Sequence, residues 1–93
     1  MVFVNPHDPE QITAAVRSLA TRAGMTMTQF ARQLGYAKAS SVQYYFHSKL
    51  YRGGFLSYNL AERMINHLVG LGDPPITRDD IRRLVGPELA EYL

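Results

Sequence analysis

Ser40, Ser41, Gln43 and Tyr44 lie close together in the chain, and each carries a group suited to the edge of a nucleic-acid base. The amide of Gln43 offers a donor and an acceptor that match adenine N6 and N7. A serine hydroxyl donates to or accepts from any base, and a tyrosine ring packs on a thymine methyl or bonds a phosphate through its hydroxyl. Arg32, Lys38, Lys49 and Arg52 flank this group as cations of the kind that meet phosphate oxygens. Such contacts position a protein on a duplex, while base-edge contacts select the site. Each residue also has a plainer reading. Gln43 fits a solvated surface, Tyr45 and Phe46 fit a core better than a stacking surface, and Tyr44 fits either.

Other chemistry finds little support. His7, His47 and His67 follow no metal-ligand spacing and read as surface or capping residues. Asp79 and Asp80 are the only adjacent carboxylates, and they fall in the first turn of an expected helix, where the dipole favours acids without any acid–base role. No glycine-rich phosphate loop or nucleophile motif occurs. The absence of cysteine excludes a disulfide framework, a thiolate zinc site and a cysteine nucleophile together, and suits a reducing compartment. The expectation is a protein that is not an enzyme, with no metal and no cofactor.

Charge is segregated along the chain. From Gln11 to Ala61 there are six cations (Arg17, Arg22, Arg32, Lys38, Lys49, Arg52) and no carboxylate, whereas the flanking segments hold all eight acids and four arginines. The arithmetic is −2, +6 and −2, summing to the net +2. A basic middle suggests an anionic partner, against the plainer alternative of a solvated face. With 93 residues, 46% hydrophobic and 19% charged, the chain suits one folded domain with a core over about 9–86 and a tail over 87–93. Its apolar runs fall well short of the roughly 18 residues that span a bilayer, and no secretory leader pattern opens it. A soluble cytoplasmic protein, associated with the nucleoid and not with a membrane, is therefore expected.

Local signals divide the chain into helices. Asp8-Pro9-Glu10-Gln11 opens one, Ile12, Ala15, Val16, Leu19, Ala20 and Ala23 form its inner face, Thr13, Arg17, Ser18 and Arg22 its outer face, and Gly24 ends it. Thr26 and Gln29 form a capping box for a two-turn helix ending at Leu34-Gly35, with Phe30, Ala31 and Leu34 inward. After a small-residue connector, Val42, Tyr45 and Phe46 share one face of a third helix, with Ser40, Ser41, Gln43, Tyr44 and His47 on the other. Ser48 to Leu56, with Gly53-Gly54, reads as an exposed basic loop. Ser57 caps a fourth helix with Leu60, Ala61, Met64, Ile65 and Leu68 buried, and Gly70 and Gly72 end it. Asp73-Pro74-Pro75 connects it to a fifth, capped by Thr77 and Asp80, with Ile81, Leu84 and Val85 inward. The result is an all-α, compact five-helix bundle.

A short helix, a sharp glycine turn and a helix with a polar outer face make the helix-turn-helix layout. Residues Thr26 to Phe46, TMTQFARQLGYAKASSVQYYF, resemble the helix-turn-helix of the lambda-repressor/Cro-type DNA-binding family. Thr26, Phe30, Ala31, Leu34 and Gly35 hold the places of that family's second helix, and Val42 stands where its recognition helix has a buried Ile. The stretch ASSVQYYF, the basic loop and PPITRDDIRRLVG look most like the amino-terminal domains of self-cleaving phage-type repressors. Those relatives carry a Ser/Lys peptidase domain that has no counterpart here, so the resemblance implies control by concentration or by a partner. The connector before Val42 is about one residue longer than the common family pattern, and Phe46-His47 replaces an acidic residue often found there.

Together these readings predict a sequence-specific double-stranded DNA-binding transcription regulator, a repressor acting as a homodimer on a palindromic operator. The transcription machinery is a further candidate partner. Leu89, Tyr92 and Leu93 in the tail form the candidate dimer contact. The alternative is a helical protein-interaction module, such as an antitoxin or a transcription cofactor, and nonspecific nucleoid binding is a third reading.

Overall fold

In the computed structural model, the described residues are 9–46 and 56–93. Pro9, with its preset φ and no amide hydrogen to lose, occupies the first position of α1 (Pro9–Arg22). Ile12, Val16, Leu19 and Ala20 recur at helical spacing and are buried. Asp8, the expected cap, lies outside the described residues. At the far end, Gly24 adopts φ +74°, which lets the Gly24 amide donate to Thr21 O at 2.9 Å and the Met25 amide to Ala20 O at 2.9 Å. Those two bonds satisfy carbonyls that a helix end leaves open and turn the chain into the next element.

Helix α2 (Met27–Gln33) begins with the expected capping box, and α3 (Ala39–Gln43) follows after a turn. Helix α4 (Tyr58–Leu68) presents Leu60, Ala61, Met64, Ile65 and Leu68 to the core. Burying each of the larger ones contributes about 1.5–3 kcal/mol. Helix α5 (Arg78–Arg82) starts with the Thr77–Asp80 capping box, and α6 (Pro87–Ala90) is a single turn opened by Gly86 and Pro87. Helix α2 packs against both α1 and α3, and α4 against α5. Phe30, Leu34, Val42 and Phe46 meet Leu60, Met64 and Leu68 in one core with Ile12, Val16 and Ile81.

The described residues are helical, with no strand among them. A radius of gyration of 11.9 Å matches the roughly 12 Å of a compact chain this long. No helix among the described residues is long and apolar enough to cross a membrane.

Several expectations need correction. Six helical segments stand where five were expected, because the tail closes a turn of its own. The third helix is shorter than expected: after Gln43 the bonding tightens to Tyr45 N–Val42 O and Phe46 N–Gln43 O. Thr13 is buried, not outward, with its hydroxyl donating to Phe46 O at 3.4 Å. Tyr45 is 41% exposed and is not core. Ser57 precedes α4 but makes no side-chain capping bond. Leu56, assigned to an exposed loop, is buried, and its amide donates to Leu84 O at 2.9 Å. Ile76, the one large aliphatic residue of the connector before α5, is buried as well.

Arg22 departs furthest from its expected solvated role. Its Nε donates to Pro74 O at 2.7 Å, and its NH2 donates to Pro75 O at 2.8 Å and Asp80 Oδ2 at 3.0 Å. One side chain thus ties the end of α1 to the connector and the first turn of α5. Burial alone raises the Asp80 carboxyl. The Thr77 backbone N–H and hydroxyl, together with the Arg22 guanidinium, outweigh it and hold the group below its ordinary value of 3.8.

Candidate nucleic-acid interface

The site begins with the chemistry that fixes both ends of α2. Thr26 Oγ1 accepts from the Gln29 amide at 3.2 Å, and Gln29 Oε1 accepts from the Thr26 amide at 2.9 Å. At the other end Gly35 takes φ +90°, a value that puts the Cβ of an L-residue under strain. Its amide reaches Arg32 O at 3.0 Å, and the Tyr36 amide reaches Ala31 O at 2.9 Å. The backbone then extends through Lys38 (φ −157°, ψ 164°) and enters α3, where the Ser41 amide donates to Lys38 O at 3.1 Å.

Two apolar side chains hold α3 from beneath. Val42 and Phe46 are 0% and 1% exposed, and they lie only about 40° apart around a helix of 3.6 residues per turn. Replacing Phe46 by alanine would remove about 3–5 kcal/mol of stability. The Thr13 hydroxyl bonds the Phe46 carbonyl from α1, and the Ser57 amide bonds the Tyr45 carbonyl at 3.3 Å from the start of α4. The end of α3 is therefore held by two other helices through its backbone.

On the opposite side the four candidate base-reading residues reach solvent. Ser40 is exposed, Ser41 and Gln43 are half-buried, and Tyr44 is 62% exposed. Lys38 is exposed immediately before them. Arg32 is exposed on α2, where it borders an open depression with Gln29, Gln33 and the Ala23–Met25 turn. Lys49 and Arg52 lie outside the described residues. Chain order keeps Lys38 beside the α3 residues, while Arg32 faces the α1–α2 turn.

The acidic and basic residues of α5 are engaged internally. Asp79 meets Arg82 at 3.3 Å, Asp80 meets Arg22 at 3.0 Å and Arg83 at 3.8 Å, and Arg82 Nε also donates to Ala90 O at 3.1 Å. Among the described residues, no group of three or more His, Asp or Glu is placed to hold a metal ion. His67 is exposed in the last turn of α4, and His7 and His47 lie outside the described residues.

Sequence reasoning missed Tyr36, Arg63 and the outward side of Tyr45. The Arg63 guanidinium lies 5.0 Å from the centre of the Tyr36 ring, and its NH1 donates to Leu34 O at 3.1 Å. The Tyr36 and Tyr45 rings lie 5.9 Å apart, tilted by 43°. No local pattern announces these contacts, since Arg63 reads as one more polar position on α4 and meets Leu34 only in the fold.

Comparison with protein-family models, with curated proteins and with solved structures returns no match to this chain.

Proposed function

We propose that this chain is a sequence-specific double-stranded DNA-binding transcription regulator, a repressor acting as a homodimer on a palindromic site. In this reading α2, the Gly35 turn and α3 form a helix-turn-helix, and α3 enters the major groove. A helix of about 10 Å diameter fits a groove about 12 Å wide. The observation that carries the reading is the division of α3, with Val42 and Phe46 buried and Ser40, Ser41, Gln43 and Tyr44 turned to solvent. A surface of hydroxyls, an amide and a phenol can sample the donor and acceptor code of base edges. Lys38, Arg32, Lys49 and Arg52 supply the phosphate contacts.

A single α3 reads few base pairs, so two subunits on half-sites about 34 Å apart provide the affinity. Leu89 and Tyr92, 48% and 74% exposed, are the apolar candidates for the pairing surface. Leu93, assigned to the same surface by sequence, is instead half-buried against the core.

Selection of tight binders from a random duplex pool, followed by titration of selected and scrambled duplexes at two salt concentrations, tests the proposal. A palindromic consensus is expected. With about three or four phosphates neutralised per subunit, the dimer should show a slope of log affinity against log salt near −6, at roughly −0.9 per phosphate. Enrichment of no sequence, with equal weak binding to every duplex, would leave nonspecific binding. Failure to bind any duplex would favour the protein-interaction module.

A further inference from the structure

We propose that Arg63 and Tyr36 form a strut that sets the attitude of α3 against α4, and so determine which bases the Ser40–Tyr44 surface accepts without touching DNA themselves. This inference rests on the DNA-binding reading of α3, and names positioning residues for it. Helix α3 has only five residues, and its N-cap, Lys38, makes no side-chain capping bond. Val42 and Phe46 fix its depth, yet two buried points on one side leave it free to rock about the line that joins them. The restraint against rocking comes from the Tyr45 side.

Four groups make that restraint continuous. Arg63, in the second turn of α4, donates to Leu34 O at 3.1 Å, at the carbonyl end of α2, where the helix leaves negative partial charge. The same guanidinium covers the Tyr36 ring at 5.0 Å, a cation–π contact. The Tyr36 ring meets the Tyr45 ring at 5.9 Å, and Tyr45 O accepts from the Ser57 amide. Tyr36, Tyr45 and Arg63, with Asn59 and Glu62, border one concavity. Gly35 keeps the route open: a Cβ there would sit 3.5 Å from Arg63 NH1. Arg63 thus bonds α2, stacks on the turn and, through two rings, braces the end of α3 next to Gln43 and Tyr44.

The test has one arm without DNA and one with it. In the first, residue-resolved amide hydrogen exchange is compared between the wild type and Arg63→Ala. The Tyr45 and Phe46 amides should lose about tenfold in protection, while the interior amides of α1 and α4 stay unchanged. Equal loosening of every helix, or no change at Tyr45 and Phe46, overturns the strut. Because Arg63→Ala also removes a hydrogen bond from Leu34, Tyr36→Leu serves as the second variant. It leaves that bond intact, and it should reproduce the loss, whereas Tyr36→Phe should retain wild-type protection.

In the second arm, Arg63→Ala and Tyr36→Leu should lose about tenfold in discrimination between the selected and scrambled duplexes, the size of one misread base pair. The scrambled-duplex affinity and the salt slope should be unchanged. If both affinities fall together and the slope becomes shallower by about 0.9, Arg63 is a phosphate contact and the proposal fails. A wild-type chain that binds no duplex overturns the DNA reading, and the exchange arm still decides the strut.

Discussion

Replacing Asp80 by alanine should be among the most damaging changes possible at a partly exposed position of this protein. Asp80 Oδ2 accepts from the Thr77 amide at 2.9 Å and from Arg22 NH2 at 3.0 Å, so one carboxylate completes a helix cap and anchors the side chain that ties α1 to α5. Loss of the cap costs about 1 kcal/mol, and loss of a hydrogen bond to a charged partner about 1.5–3 kcal/mol. The pair with Arg83 at 3.8 Å adds little, because that arginine is exposed. The sum, about 2.5–4 kcal/mol, is a large share of the 5–15 kcal/mol typical of a domain, and should lower the thermal midpoint by roughly 10 °C or more. Urea unfolding of wild type and Asp80→Ala at several pH values is the assay. The folded carboxyl titrates below its ordinary value of 3.8, so its contribution is fully present above that value and is lost as pH falls through the folded one. The stability gap should therefore be complete at neutral pH and shrink below about pH 4. Asp80→Asn, which keeps the shape but loses the charge, should show a smaller gap with wild type that narrows over the same range. Equal stability of wild type and Asp80→Ala at neutral pH, or a gap that persists undiminished to pH 2, would refute the reasoning.

Two further outcomes are expected. Gly72 has φ +87°, and a Cβ on it would strike the Arg22 backbone carbonyl, whereas Gly24 at φ +74° faces open space. In thermal or urea unfolding, Gly24→Ala should then cost about 1–2 kcal/mol from backbone strain alone, and Gly72→Ala should add about 1–3 kcal/mol for the collision. Equal losses would contradict the close approach. Leu89→Ser combined with Tyr92→Ser should leave monomer stability within about 0.5 kcal/mol yet weaken operator binding about tenfold and flatten its cooperativity. An unchanged isotherm would move the pairing surface elsewhere.

The parts of the fold that were legible are those decided within a few residues. Thr26 with Gln29, and Thr77 with Asp80, announce their helix starts by cap chemistry alone, and the α4 stripe from Leu60 to Leu68 follows from 3.6-residue spacing. What stayed hidden depends on partners far along the chain. Thr13 reads as an outer residue until Phe46 O is placed above it, and Arg22 reads as solvated until residues more than fifty positions away close on it. Tyr45 was misassigned because an apolar residue three positions after Val42 looks inward on a helical wheel. The buried strip is narrow, however, centred on Val42 and Phe46, and Tyr45 falls at its edge and turns to Tyr36. The outward set of Ser40, Ser41, Gln43 and Tyr44 was legible because helical phase puts it opposite Val42 and Phe46. The brace from Arg63 was not, since nothing in the order of residues puts α4 beside the Gly35 turn.

The segment after Gly86 is fastened in an unusual currency. Arg82 bonds Ala90 O, Arg78 bonds Leu93 O and the Tyr58 hydroxyl bonds Tyr92 O. Every one of these acceptors is a main-chain carbonyl, which any amino acid would supply. The seam between the segment and the body is thus indifferent to the identity of the outward side chains at 89 and 92, so those two sites can be rewritten, for a new partner or a chemical label, without unfastening the turn that displays them.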